Sequence, residues 1–194
     1  MPRPSGRDRL EARRARLERH AAESDPEVVL NAAARFLELR SRSVQEVRRH
    51  LGTARYPDPL IEAAIARLLE LGMLDDAAFA RAWVESRDRA RPRGAQALRR
   101  ELALKGIDRE VAVGALADRD RAGADEADRD FLAVSADETA AERLLGKNRA
   151  SLARIADPRV RRQRAYALLA RNGFDPEVCR EVSARIAEPA TQDD

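Results

Sequence analysis

Residues 102–111 read LALKGIDREV and residues 169–178 read LARNGFDPEV, and the two stretches share Leu, Ala, Gly, Asp, Glu and Val in the same places across a shift of 67 residues. A second register lies 51 residues away. It lays Asp25 on Asp76, Ser43 on Gly94, Arg48 and Arg49 on Arg99 and Arg100, Leu51 on Leu102 and Leu60 on Val111. Recurrence at such periods marks a repeat architecture, in which no unit buries its apolar face alone and neighbours must pack on one another.

The repeated unit is helical. Apolar residues fall at spacings of three and four, as in Ile61, Ala64, Ile65, Leu68 and Leu69, and strict period-two alternation is missing. Four Asp-Pro pairs, Asp25-Pro26, Asp58-Pro59, Asp157-Pro158 and Asp175-Pro176, mark helix starts. The aspartate accepts a bond from an orphan amide, and proline at the first helical position loses no bond. Ser43 with Glu46 adds a capping box, and Gly72, Gly106 and Gly173 stand where helices should stop. The predicted fold is all-α, with three tandem three-helix repeats forming an elongated, curved monomer.

Boundaries follow from composition. Residues 1–23 form a basic arm or exposed helix, too poor in apolar positions for a wide packed face. Residues 24–74 are repeat 1, 75–117 repeat 2 and 137–188 repeat 3. Between the last two lies an acidic linker, 118–136, in which Phe131, Leu132 and Val134 point to partial docking. Residues 189–194 read as a disordered tail.

Charge excludes several function classes. Of the 194 residues 37% are charged, yet the net charge is only +3, so both signs are used heavily. Cys179 is the lone cysteine, which forbids an intrachain disulfide and fits a reducing cytoplasm. With His20 and His50 as the only histidines, no His/Cys-rich metal site can form, and no cofactor is expected. No apolar run reaches the roughly 18 residues of a membrane span. Phosphate-binding loops, dinucleotide fingerprints and HExxH motifs are missing, so binding rather than catalysis is expected.

Two kinds of candidate site remain. The first is GMLDDAAFA, residues 72–80, where Asp75 and Asp76 adjoin. Adjacent residues on a helix point about 100° apart, which suits capping better than shared acid chemistry. With Asp75 at the N-cap, Leu74 and Phe79 become a hydrophobic staple and Asp76 meets the positive end of the helix dipole. Gly72, Leu74, Asp75, Asp76 and Phe79 are therefore expected to form a joint between repeats. The second kind is basic: Arg87, Arg91, Arg93, Arg99, Arg100 and Lys105, echoed in the first repeat by Arg40, Arg42, Arg48 and Arg49. Guanidinium forks grip phosphates and carboxylates bidentately, so these runs read either as a binding surface or as a solvated charged face. Trp83 is a weaker candidate, as core or as an interface anchor.

Four blocks carry a family resemblance: RSRSVQEVRRHL (40–51), AAIARLLELGMLDDAAFARAWVESR (63–87), RGAQALRRELALKGIDREV (93–111) and LLARNGFDPEVCREV (168–182). Together they resemble the RecX regulatory proteins, over about residues 27–187. The resemblance implies tandem three-helix repeats in a crescent-shaped monomer. It also implies a partner, the RecA recombinase filament on single-stranded DNA, whose ATPase, strand-exchange and coprotease activities such proteins usually restrain. The alternative from the arginine density alone is a free-standing DNA-binding protein of helical repeats.

Overall fold

A computed structural model describes residues 5–127 and 135–185 of the chain. Among the described residues all regular structure is α-helical: α1 (Gly6–Ala21), α2 (Pro26–Leu37), α3 (Val44–Thr53), α4 (Asp58–Glu70), α5 (Asp76–Ala90), α6 (Ala95–Leu104), α7 (Arg109–Ala127), α8 (Ala136–Lys147), α9 (Arg149–Ala153), α10 (Pro158–Arg171) and α11 (Pro176–Arg185). The chain divides into two compact units, residues 1–79 and 80–194, with α5 starting in the first and running on in the second.

In the first unit α2, α3 and α4 pack on one another. Val29, Ala33, Val47, Leu51, Ile61, Ile65, Leu68 and Leu74 form their common core. The spacing of three and four read from the sequence puts these residues on the inner faces. Asp25 caps α2 through the Glu27 amide, and Ser43 with Glu46 closes a capping box at α3. Asp58 differs from the expectation. The Pro57 carbonyl already accepts from the amides of Leu60 and Ile61, so the helix opens one residue early and Asp58 becomes its first helical residue. Its charge there still meets the positive end of the helix dipole.

Helix α1 falls in the segment read as an arm or exposed helix. Ser5 and Asp8 form a capping box, Arg7 pairs with Glu11 and Arg14 with Glu18, and the helix contains no buried residue. Local bonds rather than burial hold it, which is the usual position of a helix polar all round.

The second unit buries Val84, Leu98, Leu102, Ile107, Ala112, Ala115 and Leu116 on α5 to α7 and the turns between them. A separate cluster includes Ala140, Ala141, Leu145, Ala165, Leu169, Phe174, Cys179 and Val182 on α8, α10, α11 and the turn between the last two. The stretch that opens the third repeat, DETAAERLLGK (137–147), is poorer in large apolar residues than the other opening helices, and its packing shows the physical source. The inner face of α8 is largely alanine, with Ala136, Ala140 and Ala141 buried, and a small side chain contributes little to hydropathy while allowing close approach. Helix α7 continues to Ala127, so residues 118–127 of the stretch read as a linker are helical. Phe131, Leu132, Val134 and the 189–194 tail lie outside the described residues.

One approach within the second unit leaves no room for a side chain. The Gly94 amide donates to the Asn172 carbonyl at 3.1 Å. A Cβ on Gly94 would overlap the Gly173 carbonyl and Phe174 Cα, and one on Gly173 would lie 2.5 Å from Ala97 Cβ. The start of α6 therefore crosses the α10–α11 turn backbone against backbone.

Candidate functional site

Asp75 and Asp76 cap two different helices. The Asp75 carboxylate accepts from the Ala78 amide at 2.9 Å, in the N-cap position of α5, and Leu74 and Phe79 are both buried. Asp76 turns away and accepts from the Val44 amide, at the first residue of α3, also at 2.9 Å. Partial burial raises the Asp76 pKa above the usual aspartate range; the Val44 bond and Arg48 oppose that rise while the Asp75 charge adds to it. Sequence reasoning missed the second cap because Val44 lies 32 residues away. The same device recurs in the second unit. Asp137, in the first turn of α8, accepts from the Ala95 amide at 3.1 Å, and Ala95 opens α6. In both cases an aspartate from the opening turn of one repeat satisfies an orphan amide at the second helix of the preceding repeat.

Replacing Asp75 by Ala is expected to cost about 1 kcal/mol, the usual worth of an N-cap. The check is a urea titration of the wild type and the variant, in which an unchanged midpoint would show that the cap contributes nothing.

The basic candidates divide by what their neighbours do to them. In the first repeat Arg48 is forked onto Glu62, Nε to Oε1 at 2.7 Å and Nη2 to Oε2 at 2.8 Å. That bond raises the Arg48 pKa and holds the Glu62 carboxyl below the usual glutamate range. Arg40 forks onto Glu46 at 3.0 and 3.3 Å. Arg42 lies over the Phe36 ring at 4.1 Å, and Phe36 stacks on His50 at 3.9 Å. The Arg42 Nε is buried without a hydrogen-bond partner. Partial burial, and then the Arg42 charge, push the His50 pKa below the ordinary histidine range. Only Arg49 of this group is exposed and in none of the described ion pairs.

In the second repeat Glu101 gathers three partners. Arg87 Nε donates to it at 2.6 Å, Trp83 Nε1 at 3.0 Å, and Arg93 Nε lies 3.5 Å from its other oxygen. Arg93 also reaches the Asn172 side chain at 2.5 Å. Arg87 and Lys105 both lie over the Trp83 ring, at 4.2 and 4.8 Å, so Trp83 is half-buried under cations. Arg91, Arg99 and Arg100 are exposed and enter none of the described ion pairs. Asp120 feels the Arg99 charge, though burial still raises its pKa overall.

The two repeats are therefore unequal at equivalent positions. Arg48 and Arg99 correspond across the 51-residue shift, but the counterpart of Glu62 is Val113. Arg48 is neutralised within the fold while Arg99 is left for solvent. Across the 67-residue shift the counterparts of Arg99 and Arg100 are Tyr166 and Ala167, so the third repeat lacks the pair. Available cationic charge among the predicted residues thus concentrates on α6 with Arg91 just before it and Arg49 on α3.

Arg119 belongs to the stretch read as an acidic linker and is not among the predicted site residues. It is buried, with Nε 2.8 Å from Asp88 Oδ2 and Nη1 2.6 Å from Asp137 Oδ1, and its Nη2 reaches the Asp88 Oδ1 at 3.0 Å. Burial opposes its charge, and the two carboxylates outweigh that, so its pKa lies above the ordinary arginine range. Cys179 is buried, and burial, then Asp175 and Asp137, push its thiol pKa up, which makes it a poor nucleophile. No helix among the described residues is long and apolar enough to cross a membrane.

Residues 30–68 match the family model described as RecX, first three-helix domain, and residues 75–116 match RecX, second three-helix domain. The regulatory protein RecX of Mycobacterium avium (strain 104) is 37% identical over 155 residues, covering 79% of this chain and 82% of that protein. That of Mycolicibacterium vanbaalenii is 32% identical over 154 residues, covering 76% of each. The crystal structure of RecX from Lactobacillus salivarius superposes with a TM-score of 0.67 at 19% identity, over 83% of this chain and 96% of that one, which is a likeness of fold. With three-helix repeats, matched domains and relatives similar over most of their length, the chain belongs to the RecX family of regulatory proteins.

Proposed function

We propose that this chain binds the RecA recombinase filament on single-stranded DNA, in the cytoplasm and as a monomer, and restrains its ATPase, strand-exchange and coprotease activities by binding alone, thereby regulating recombination and DNA repair. Family membership supports the partner. The observation that carries the site is the exposed pair Arg99 and Arg100 on α6, which enters none of the described ion pairs while its first-repeat counterpart Arg48 is locked to Glu62. Exposed guanidiniums can meet acidic protein groups and DNA phosphates without first breaking an internal ion pair; Arg100 Nε donates only to the Gln96 carbonyl, at 3.2 Å. Arg91 adds to the charge just before α6, and Arg49, the first-repeat counterpart of Arg100, is a separate exposed cation of the first unit. Arg87, Arg93 and Lys105 are held by their neighbours within the second unit, as Arg40, Arg42 and Arg48 are within the first, and each acts more as scaffold in its own unit. Gly72, Leu74, Asp75, Asp76 and Phe79 serve as a structural joint rather than as a chemical site.

The test is a titration of the protein into RecA hydrolysing ATP on single-stranded DNA. Hydrolysis should fall at ratios at or below one to one, and no change over a wide range would end the proposal. Reversing Arg99 and Arg100 to Glu should raise the half-inhibitory concentration about tenfold, roughly 1.4 kcal/mol, with helical content unchanged. Full inhibition by that variant would remove the α6 pair from the interface.

A further inference from the structure

Position 55 departs from the pattern of the repeats. In each repeat the turn into the last helix has one residue in the left-handed region: Arg55 at φ 66°, Gly106 at 77° and Gly173 at 80°. The 51- and 67-residue shifts make these three positions equivalent. The turns also share their closing bonds. Arg55 N–H donates to Gly52 O and Tyr56 N–H to Leu51 O, as Gly106 donates to Ala103 O and Ile107 to Leu102 O, and as Gly173 donates to Ala170 O and Phe174 to Leu169 O. Glycine adopts this conformation freely, and a residue with a Cβ is strained in it. The local backbone thus favours glycine at position 55, yet the chain carries arginine.

The first turn differs from the others by facing α1. The His20 ring stacks on Tyr56 at 4.3 Å, and its Nδ1 lies 3.0 Å from the Ala54 carbonyl, which fixes the end of α1 beside the turn. A cleft of about 440 Å³ is lined by Leu10, Arg13, Arg14, Leu17 and Glu18 from one face of α1 and by Arg55. Arg13 and Arg14 occupy helical positions that a packed helix gives to apolar side chains. Glu18 is the one carboxylate among the lining residues, and Arg14 Nε holds it at 2.9 Å. Arg13 and Arg55 are in none of the described ion pairs.

We infer that this cleft binds the phosphodiester backbone of a nucleic acid strand, with Arg55 held in a strained conformation because its guanidinium completes the site. Exposed Arg9 and Arg16 continue the charge along α1, at 1.5 Å of rise per residue, and a string of cations suits a polyanion better than a single anion. Among the lining residues none is aromatic, so the contact reads phosphate and not base. The site includes neither Arg99 nor Arg100 and requires no recombinase.

The experiment is fluorescence anisotropy of a labelled oligothymidylate, and of a duplex of equal length, with the full chain and no RecA present. Arg55→Gly should raise the melting temperature by about 2 °C because the strain is relieved. The same variant should weaken binding about fivefold and lower the slope of log K against log salt by about one. Arg13→Gln should weaken binding with the melting temperature unchanged. The form of DNA whose affinity depends on Arg55 identifies the ligand. A stabilised Arg55→Gly that binds both DNAs with wild-type affinity and slope would overturn the inference. So would Arg55-dependent binding of poly-glutamate with DNA binding intact, which would assign the cleft to an acidic protein. Recombinase inhibition by a wild-type chain whose DNA binding does not depend on Arg55 or Arg13 sinks the present inference alone, and Arg55-dependent DNA binding without any effect on RecA sinks only the recombinase proposal.

Discussion

Gly94→Ala should destabilise the protein by about 3 kcal/mol or more and lower the melting temperature by about 10 °C. The added methyl group meets the Gly173 carbonyl and the Phe174 Cα, which are backbone atoms on a turn that cannot step aside as a side chain can. Gly94 has φ −72° and ψ 158°, a conformation open to any residue, so the requirement is for space and not for backbone freedom. Gly114→Ala in α7 is the control. Nothing lies within 4 Å of where its methyl group would sit, and alanine in a helix interior should stabilise by about 0.5–1 kcal/mol. The same chemical change thus has opposite signs at two glycines. Thermal melts followed by far-UV circular dichroism decide it, and a Gly94→Ala protein as stable as wild type would mean that the close crossing is not kept in solution.

Arg119→Ala is expected to cost about 3–5 kcal/mol, the range found when one partner of a buried ion pair is removed. The Arg119 guanidinium donates to Asp88 on α5 and Asp137 on α8 and also reaches the backbone carbonyls of Arg93 and Ala136. Deleting it leaves two carboxylates facing each other with no cation between them. Asp137 would still accept from the Ala95 amide, so Asp88 carries the larger share of the unmet charge. Replacing Asp88 as well should restore part of the loss, and a double-mutant cycle with Asp88→Ala should show a coupling of about 1–3 kcal/mol. Chemical denaturation measures each corner, and additive losses would show that the pair is not coupled.

Helices and their ends were legible in the sequence because they rest on rules that span a few residues. Asp75 with Ala78, Ser43 with Glu46 and the spacing of Ile61, Ile65 and Leu68 each involve a single turn or two. Asp58 stands one residue inside its helix, and not at the cap, because Pro57 offers its carbonyl first. The candidate site was legible only as composition. Ten basic residues stood in two runs, and nothing local separated Arg48 from Arg99, which occupy equivalent places.

The sequence by itself determined the all-helical class, the repeat registers, the helix starts at Asp25, Asp75 and Asp157, and the chemistry available to the surface. Tertiary structure decided which charges remain available, because each neutralising partner lies on another helix: Glu62 for Arg48, Glu101 for Arg87, Asp88 and Asp137 for Arg119. It also decided that Gly94, at the N-cap of α6, is a crossing point, and that Asp76 caps α3 as well as opening α5. The physical reason is range. Backbone hydrogen bonding and capping act within a turn and leave a pattern in neighbouring residues, whereas burial and charge pairing depend on groups that only the folded chain brings within a few ångströms.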